Sequence, residues 1–145
     1  MLDEAGIYNF RRLSPGLTTS GQPSPDQLRL FGEAGVETVI NLGMPDSPHA
    51  VPEEAAILDA LDIAYIPIPV DFAAPGEDDF AAFCDAMDAL GGGTPHVHCI
   101  ANYRVSAFLH RYRKVRPDWT GDDPAKDLPG GWEPDAVWQD FMNRG

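Results

Sequence analysis

Residues 36–42 read Val-Glu-Thr-Val-Ile-Asn-Leu, with the β-branched run Thr38-Val39-Ile40 at their centre. A short, nearly continuous apolar run of this kind is the pattern of a strand covered on both faces. Such strands belong to parallel sheets, and parallel neighbours need crossover helices between them. The rest of the chain offers such helices. Ser24-Pro25-Asp26-Gln27 opens one: Ser24 is a good N-cap, Pro25 suits the first helical position and Gln27 completes a capping box. Leu28, Leu30 and Phe31 give that helix its apolar face, and Gly35 stops it. A second is predicted over residues 52–61, with Ala55, Leu58 and Leu61 inward. A third spans 77–90, where Phe80, Phe83, Cys84, Met87 and Leu90 follow a buried helical stripe until Gly91-Gly92-Gly93 ends it. A fourth covers 105–116, with Val105, Phe108, Leu109, Tyr112 and Val115 inside and Pro117 as its stop. The last, 133–143, carries Val137, Trp138 and Phe141 inward.

Between these lie further strands. Residues 64–70 are apolar, but Pro67 and Pro69 push the strand toward a sheet edge or mark its last residues. His96-Val97-His98 is short and runs into Cys99. Residues 7–20 read as a hairpin or two edge segments turning at Ser14-Pro15-Gly16. Residues 117–131 are rich in Gly, Pro and Asp and read as loop. The alternation predicts an α/β fold: a three-layer domain with a mostly parallel central sheet flanked by helices, residues 1–145 forming a single domain without internal repeat. In such sheets ligands sit beyond the carboxyl ends of the strands.

Composition narrows the function. Net charge is −13, which argues against nucleic acid or an anionic membrane as the main partner. No apolar run approaches the roughly 18 residues that span a bilayer. The acidic start Met1-Leu2-Asp3-Glu4 lacks the features of a signal peptide, so the expected location is the cytoplasm. Cys84 and Cys99 are the two cysteines; a reducing compartment keeps both as thiols, and no paired Cys or His spacing suggests a zinc site. Five of the ten basic residues fall between Arg104 and Arg116. Arg111, Arg113, Lys114 and Arg116 read as a solvated helix end complementing the dipole, with a docking patch as the competing reading.

The chemistry concentrates in His98-Cys99-Ile100-Ala101-Asn102-Tyr103-Arg104-Val105-Ser106. A strand ends in a Cys, a short loop follows and a helix begins. Loop N–H groups and a helix N-terminus make an anion site, and the same field favours a thiolate. The Arg104 guanidinium offers a planar fork for two phosphate oxygens. A thiolate there can attack phosphorus in line, and water can then hydrolyse the phosphocysteine. Cys99 as an inert core thiol and Arg104 as a surface residue are the competing readings.

The His-Cys pair, loop, Arg and nearby hydroxyl residue resemble the signature of the protein tyrosine and dual-specificity phosphatase superfamily. The wider chain resembles its compact bacterial members, the β-lactamase hydrolase-like phosphatase type, sometimes joined to metallo-hydrolases. Thr19-Ser20-Gly21-Gln22-Pro23, residues 35–42, Tyr65-Ile66-Pro67-Ile68-Pro69-Val70 and the Cys99 segment carry the likeness. The resemblance implies Cys99 as nucleophile and Arg104 as phosphate clamp. It implies a substrate cradle from Ile100, Ala101, Asn102 and Tyr103, with His98 supporting the loop. It also implies a general acid, for which Asp71 is the best match. Ser106 either helps break the phosphocysteine or caps the helix. The implied substrate is a phosphorylated protein, phosphotyrosine foremost, or a small phosphate ester, with no cofactor and no metal. The chain departs from the usual pattern: four residues rather than five separate Cys from Arg, Asn102 stands at a Gly position and Val105 separates Arg104 from Ser106. Asn tolerates a left-handed backbone, so Asn102 can serve there. The shorter spacing also resembles rhodanese-like sulfurtransferases, and a non-catalytic phosphate-binding module is a third reading.

Overall fold

The computed structural model describes residues 2–90, 93–116, 119 and 121–144; Gly91, Gly92 and Pro117, expected as helix stops, lie outside the described residues. Five strands form one sheet: β1 (Arg11–Ser14), β2 (Leu17–Ser20), β3 (Thr38–Asn41), β4 (Ala64–Pro67) and β5 (Pro95–His98), in the order β1-β2-β5-β3-β4. Only the β1–β2 hairpin is antiparallel; β2–β5, β5–β3 and β3–β4 are parallel. The fold is α/β, with a mostly parallel sheet between helices. β5 is the middle strand and is buried throughout, with Val97 level with Thr19 on one side and Ile40 on the other. β4 lies at the edge, where the prolines of its sequence are tolerated.

Successive strand residues point to opposite faces, and two cores follow. Ile40, Val97 and Cys99 belong to the larger one, covered by α3 (Glu77–Asp88), α4 (Tyr103–Lys114) and α5 (Ala136–Asn143). Its centre is aromatic: Phe108 lies 4.7 Å from Phe141 and Phe83 meets Phe108 edge-on. Val39 turns the other way, toward Leu28, Phe31 and Leu58 of α1 (Pro25–Arg29), the turns after it and α2 (Glu54–Ala60).

Several sequence expectations are corrected. The first helix closes after Arg29, leaving Leu30 exposed, although its Ser24–Gln27 capping box is present as expected. Ala55 is exposed, and the buried face of α2 is Glu54 and Leu58. Val115 and Val137 keep the helical period but are exposed, because no element covers them. Arg111 is not solvated. It is buried, grips Glu77 with both terminal nitrogens and lies 3.9 Å over the Phe80 ring. Its neighbours on the helix end are paired as well: Arg113 with Asp123, Lys114 with the Met142 carbonyl and Arg116 with Asp88.

Candidate active site

β5 ends at His98, and residues 99–102 turn into α4 beyond the carboxyl end of the sheet. The loop is held from behind, one carbonyl at a time. The Cys99 carbonyl accepts from His98 Nδ1 at 3.1 Å, and the Ile100 carbonyl from the Gln22 backbone N–H at 2.9 Å. The Ala101 carbonyl accepts from Asn9 Nδ2 at 2.9 Å. The Asn102 carbonyl accepts from the Ser106 hydroxyl at 2.7 Å and the Ser106 N–H. A trans peptide is planar, so each carbonyl fixed one way sends the next residue's N–H the other way. The N–H groups of Ile100, Ala101, Asn102 and Tyr103 therefore face away from their tethers. Among the described residues, no N–H from Ile100 to Val105 meets a protein acceptor. That is the donor array an anion needs at a helix N-terminus.

Asn102 makes the turn possible. Its φ is 68°, in the left-handed region, as expected of a residue at a Gly position. For most L-residues that conformation costs about 1–2 kcal/mol. Asn102 offsets it by donating Nδ2 to the Asn9 carbonyl at 2.9 Å and Thr19 Oγ1 at 3.1 Å. Behind the loop the chain passes so close that a Cβ on Gly21 would lie 2.5 Å from the Ile100 carbonyl oxygen, so only glycine fits.

Cys99 and Arg104 come together. With Phe72, Ile100, Ala101 and Tyr103 they line a depression of about 220 Å³. Arg104 is in the first turn of α4 and nearly buried. Its NH1 donates to the Val70 carbonyl at 2.8 Å, and the guanidinium carbon lies 5.6 Å from the Phe72 ring centre. Among the described residues this is its only hydrogen bond, so the remaining N–H donors are free to meet a ligand. Tyr103 stacks on Trp132, with ring centres 4.9 Å apart, and the two extend the aromatic wall begun by Phe72.

The same architecture recurs among solved structures. A DUF442 protein from Shewanella putrefaciens CN-32, assigned as a phosphatase, is 34% identical; the match covers 95% of this chain and 91% of that one, at a TM-score of 0.86. This chain belongs to the DUF442 phosphatase family, and its fold is that of the tyrosine and dual-specificity phosphatases. More distant solved structures share its fold. Pseudomonas aeruginosa TpbA is 23% identical over 78% of this chain and 67% of that chain, TM-score 0.62. The core catalytic domain of the Saccharomyces cerevisiae PP-IP phosphatase Siw14 is 14% identical over 79% and 69%, TM-score 0.65. No family model and no curated protein matches the chain.

The other expected phosphatase residues sit as follows. Asp71 is exposed. It lies between Val70, whose carbonyl holds Arg104, and Phe72, which lines the depression, and its Oδ1 accepts from the Ala73 N–H at 2.9 Å. The Ser106 hydroxyl is buried and engaged, donating to the Asn102 carbonyl and accepting from Arg11 at 3.3 Å. His98 is fully buried behind the loop, with Nδ1 on the Cys99 carbonyl. Asn41, at the end of β3, closes a local turn: its Oδ1 accepts from the Gly43 N–H at 2.8 Å. Cys84 is half-buried on α3, and burial pushes its thiol up from the ordinary range. Sequence reading missed Glu54, whose buried carboxylate lies 2.6 Å from His98 Nε2, and also Asn9. No periodicity or motif marks either one; the one clue was the acidic residue that opens a helix at 54. Among the described residues no cluster of His, Cys, Asp or Glu suits a metal ion, and no helix is long and apolar enough to cross a membrane.

Proposed function

We propose that the protein hydrolyses phosphate monoesters through a phosphocysteine on Cys99. The observation that carries this reading is one depression holding Cys99 and Arg104, with the unpaired N–H groups of residues 100–105 beside them. The Cys99 thiolate attacks phosphorus and the ester P–O bond breaks. The leaving oxygen takes a proton from Asp71, placed between two residues that touch the site. Water then attacks phosphorus, the S–P bond breaks, Asp71 recovers a proton from that water, and phosphate leaves the regenerated thiolate. Arg104 and the loop amides hold the phosphoryl oxygens in both steps, where charge accumulates. Ser106, with its hydroxyl engaged by Asn102 and Arg11, braces the loop in this scheme. Both cysteines are free thiols, which suits a reducing compartment such as the cytoplasm.

The walls favour an aryl ester. They are Phe72, Tyr103 and Ile100, and among the described residues Arg104 is the only cation lining the depression. Siw14 is a PP-IP phosphatase, and TpbA was crystallised as a Cys-to-Ser variant with phosphotyrosine. A polyphosphorylated ring would bring several charges to a site with one guanidinium on a chain of net charge −13. A phosphotyrosine ring would instead stack between aromatic faces. The test is turnover of p-nitrophenyl phosphate and a phosphotyrosine peptide beside an inositol polyphosphate. The first two are expected to be hydrolysed, with all turnover lost in Cys99→Ser. Turnover that survives this substitution removes the mechanism, and preference for the polyphosphate removes the aryl assignment.

A further inference from the structure

Glu54 is a carboxylate in the protein interior, 2% exposed, and nothing in the chemistry above uses it. Both of its oxygens are engaged. Oε2 meets His98 Nε2 at 2.6 Å and Oε1 accepts from Gln22 Nε2 at 2.8 Å. Each partner then continues to the Cys99 loop. His98 Nδ1 reaches the Cys99 carbonyl, and the Gln22 backbone N–H reaches the Ile100 carbonyl. A carbonyl can only accept, so Nδ1 carries a hydrogen; Nε2 faces a carboxylate, so a second hydrogen lies between Nε2 and Oε2. The first two peptide planes of the anion cradle thus hang from one carboxylate. The titratable groups around it are His98 on β5, His96 behind it and Tyr65 on β4. Burial first, then the charge of His98, hold His96 well below the ordinary imidazole range, so it is neutral between Thr18 and Ser20. Burial pushes the Tyr65 phenol up, its bond from Asn41 opposes this, and the Glu54 charge adds to the rise.

We propose that Glu54 is a positioning residue: through His98 and Gln22 it aims the Ile100 and Ala101 N–H groups. Its effect on turnover rests on the phosphatase reading; its effect on the loop does not. The experiment uses the full chain carrying Cys84→Ala, so that Cys99 is the only thiol, and measures the iodoacetamide alkylation rate against pH with and without inorganic phosphate. In Glu54→Gln the alkylation midpoint is expected to move to higher pH by about one unit, and phosphate to protect roughly tenfold less well, the scale of one lost charge-assisted hydrogen bond. Gln22→Met, at a half-buried position, shifts both in the same direction by less. Profiles and phosphate protection that superimpose on the parent overturn the proposal. If Glu54→Gln does not fold, the Gln22→Met profile decides. Parent turnover of p-nitrophenyl phosphate is read separately: a parent that is inactive, yet whose variants show the shift, sinks the phosphatase reading and leaves the Glu54 brace standing.

Discussion

Two loops meet at the Cys99 depression, and they are built in opposite ways. Residues 99–102 are tied through four successive carbonyls to groups from the N-terminal segment, the turn after β2, β5 and α4. The loop that follows β4 is exposed over residues 71–74 and is tied mostly to itself, by Asp71 Oδ1 to the Ala73 N–H and the Asp71 carbonyl to the Ala74 N–H. Its fixed points are the Val70 carbonyl under Arg104, the Trp138 bond to the Phe72 carbonyl, and Glu77 at the start of α3, held by Arg111 and Arg144. Dipoles that stabilise developing charge act best when they need not reorganise. A group that hands a proton to a departing product must let that product out. In the proposed chemistry the firmly tied loop suits the first duty and the lightly tied one the second.

Substitutions in each loop test that division. Cys99→Ser has the largest expected effect: no turnover of p-nitrophenyl phosphate, with inorganic phosphate still bound by the cradle in calorimetry. Arg104→Ala should lower kcat about 10²–10³-fold, the scale of one removed oxyanion donor, and weaken phosphate binding as well. Asp71→Asn should lower kcat about 10²-fold, leave phosphate binding unchanged and erase the basic limb of the pH–rate profile. An unchanged profile excludes Asp71 as the acid and takes the second loop out of the chemistry. Asn102→Ala and Asn102→Gly both lose the side-chain bonds, and Ala should cost about 1–2 kcal/mol more than Gly in denaturant unfolding through the left-handed backbone. The smallest effect is electrostatic. The Arg111 guanidinium draws the Glu77 carboxyl down from its ordinary 4.5 to about 2. A carboxyl whose pKa is lower in the folded state stabilises the fold above the unfolded value. That contribution is complete above pH about 4.5 and is lost as pH falls toward 2. Glu77→Gln should flatten the fall of the thermal midpoint across that window; a parallel fall removes the anchor from the account.

The sheet and the Cys99–Arg104 loop were legible because both depend on local pattern. Thr38-Val39-Ile40 is an inner strand, Pro67 closes an edge strand, and Asn102 takes the backbone that few other side chains accept. What could not be read is what long-range packing decides. Val115 and Val137 keep the helical period but extend past the surface that would cover them. Arg111 looks like a solvated cation until two phenyl rings and Glu77 surround it. Glu54 and His98 are 44 residues apart, and no spacing rule links a helix-opening acid to a strand-ending histidine.

The tethers of the Cys99 loop have a bearing on how the molecule is assembled. Asn9, Gln22 and the hydroxyl of Thr19 come from the first 22 residues, whereas the loop they hold begins at residue 99. A fragment containing β3 through α5 would own the sulfur and the guanidinium yet lack the struts that aim the amides. Anion affinity should therefore arise only once the two ends of the chain have met, making it a late event in folding and a sensitive reporter of its completion.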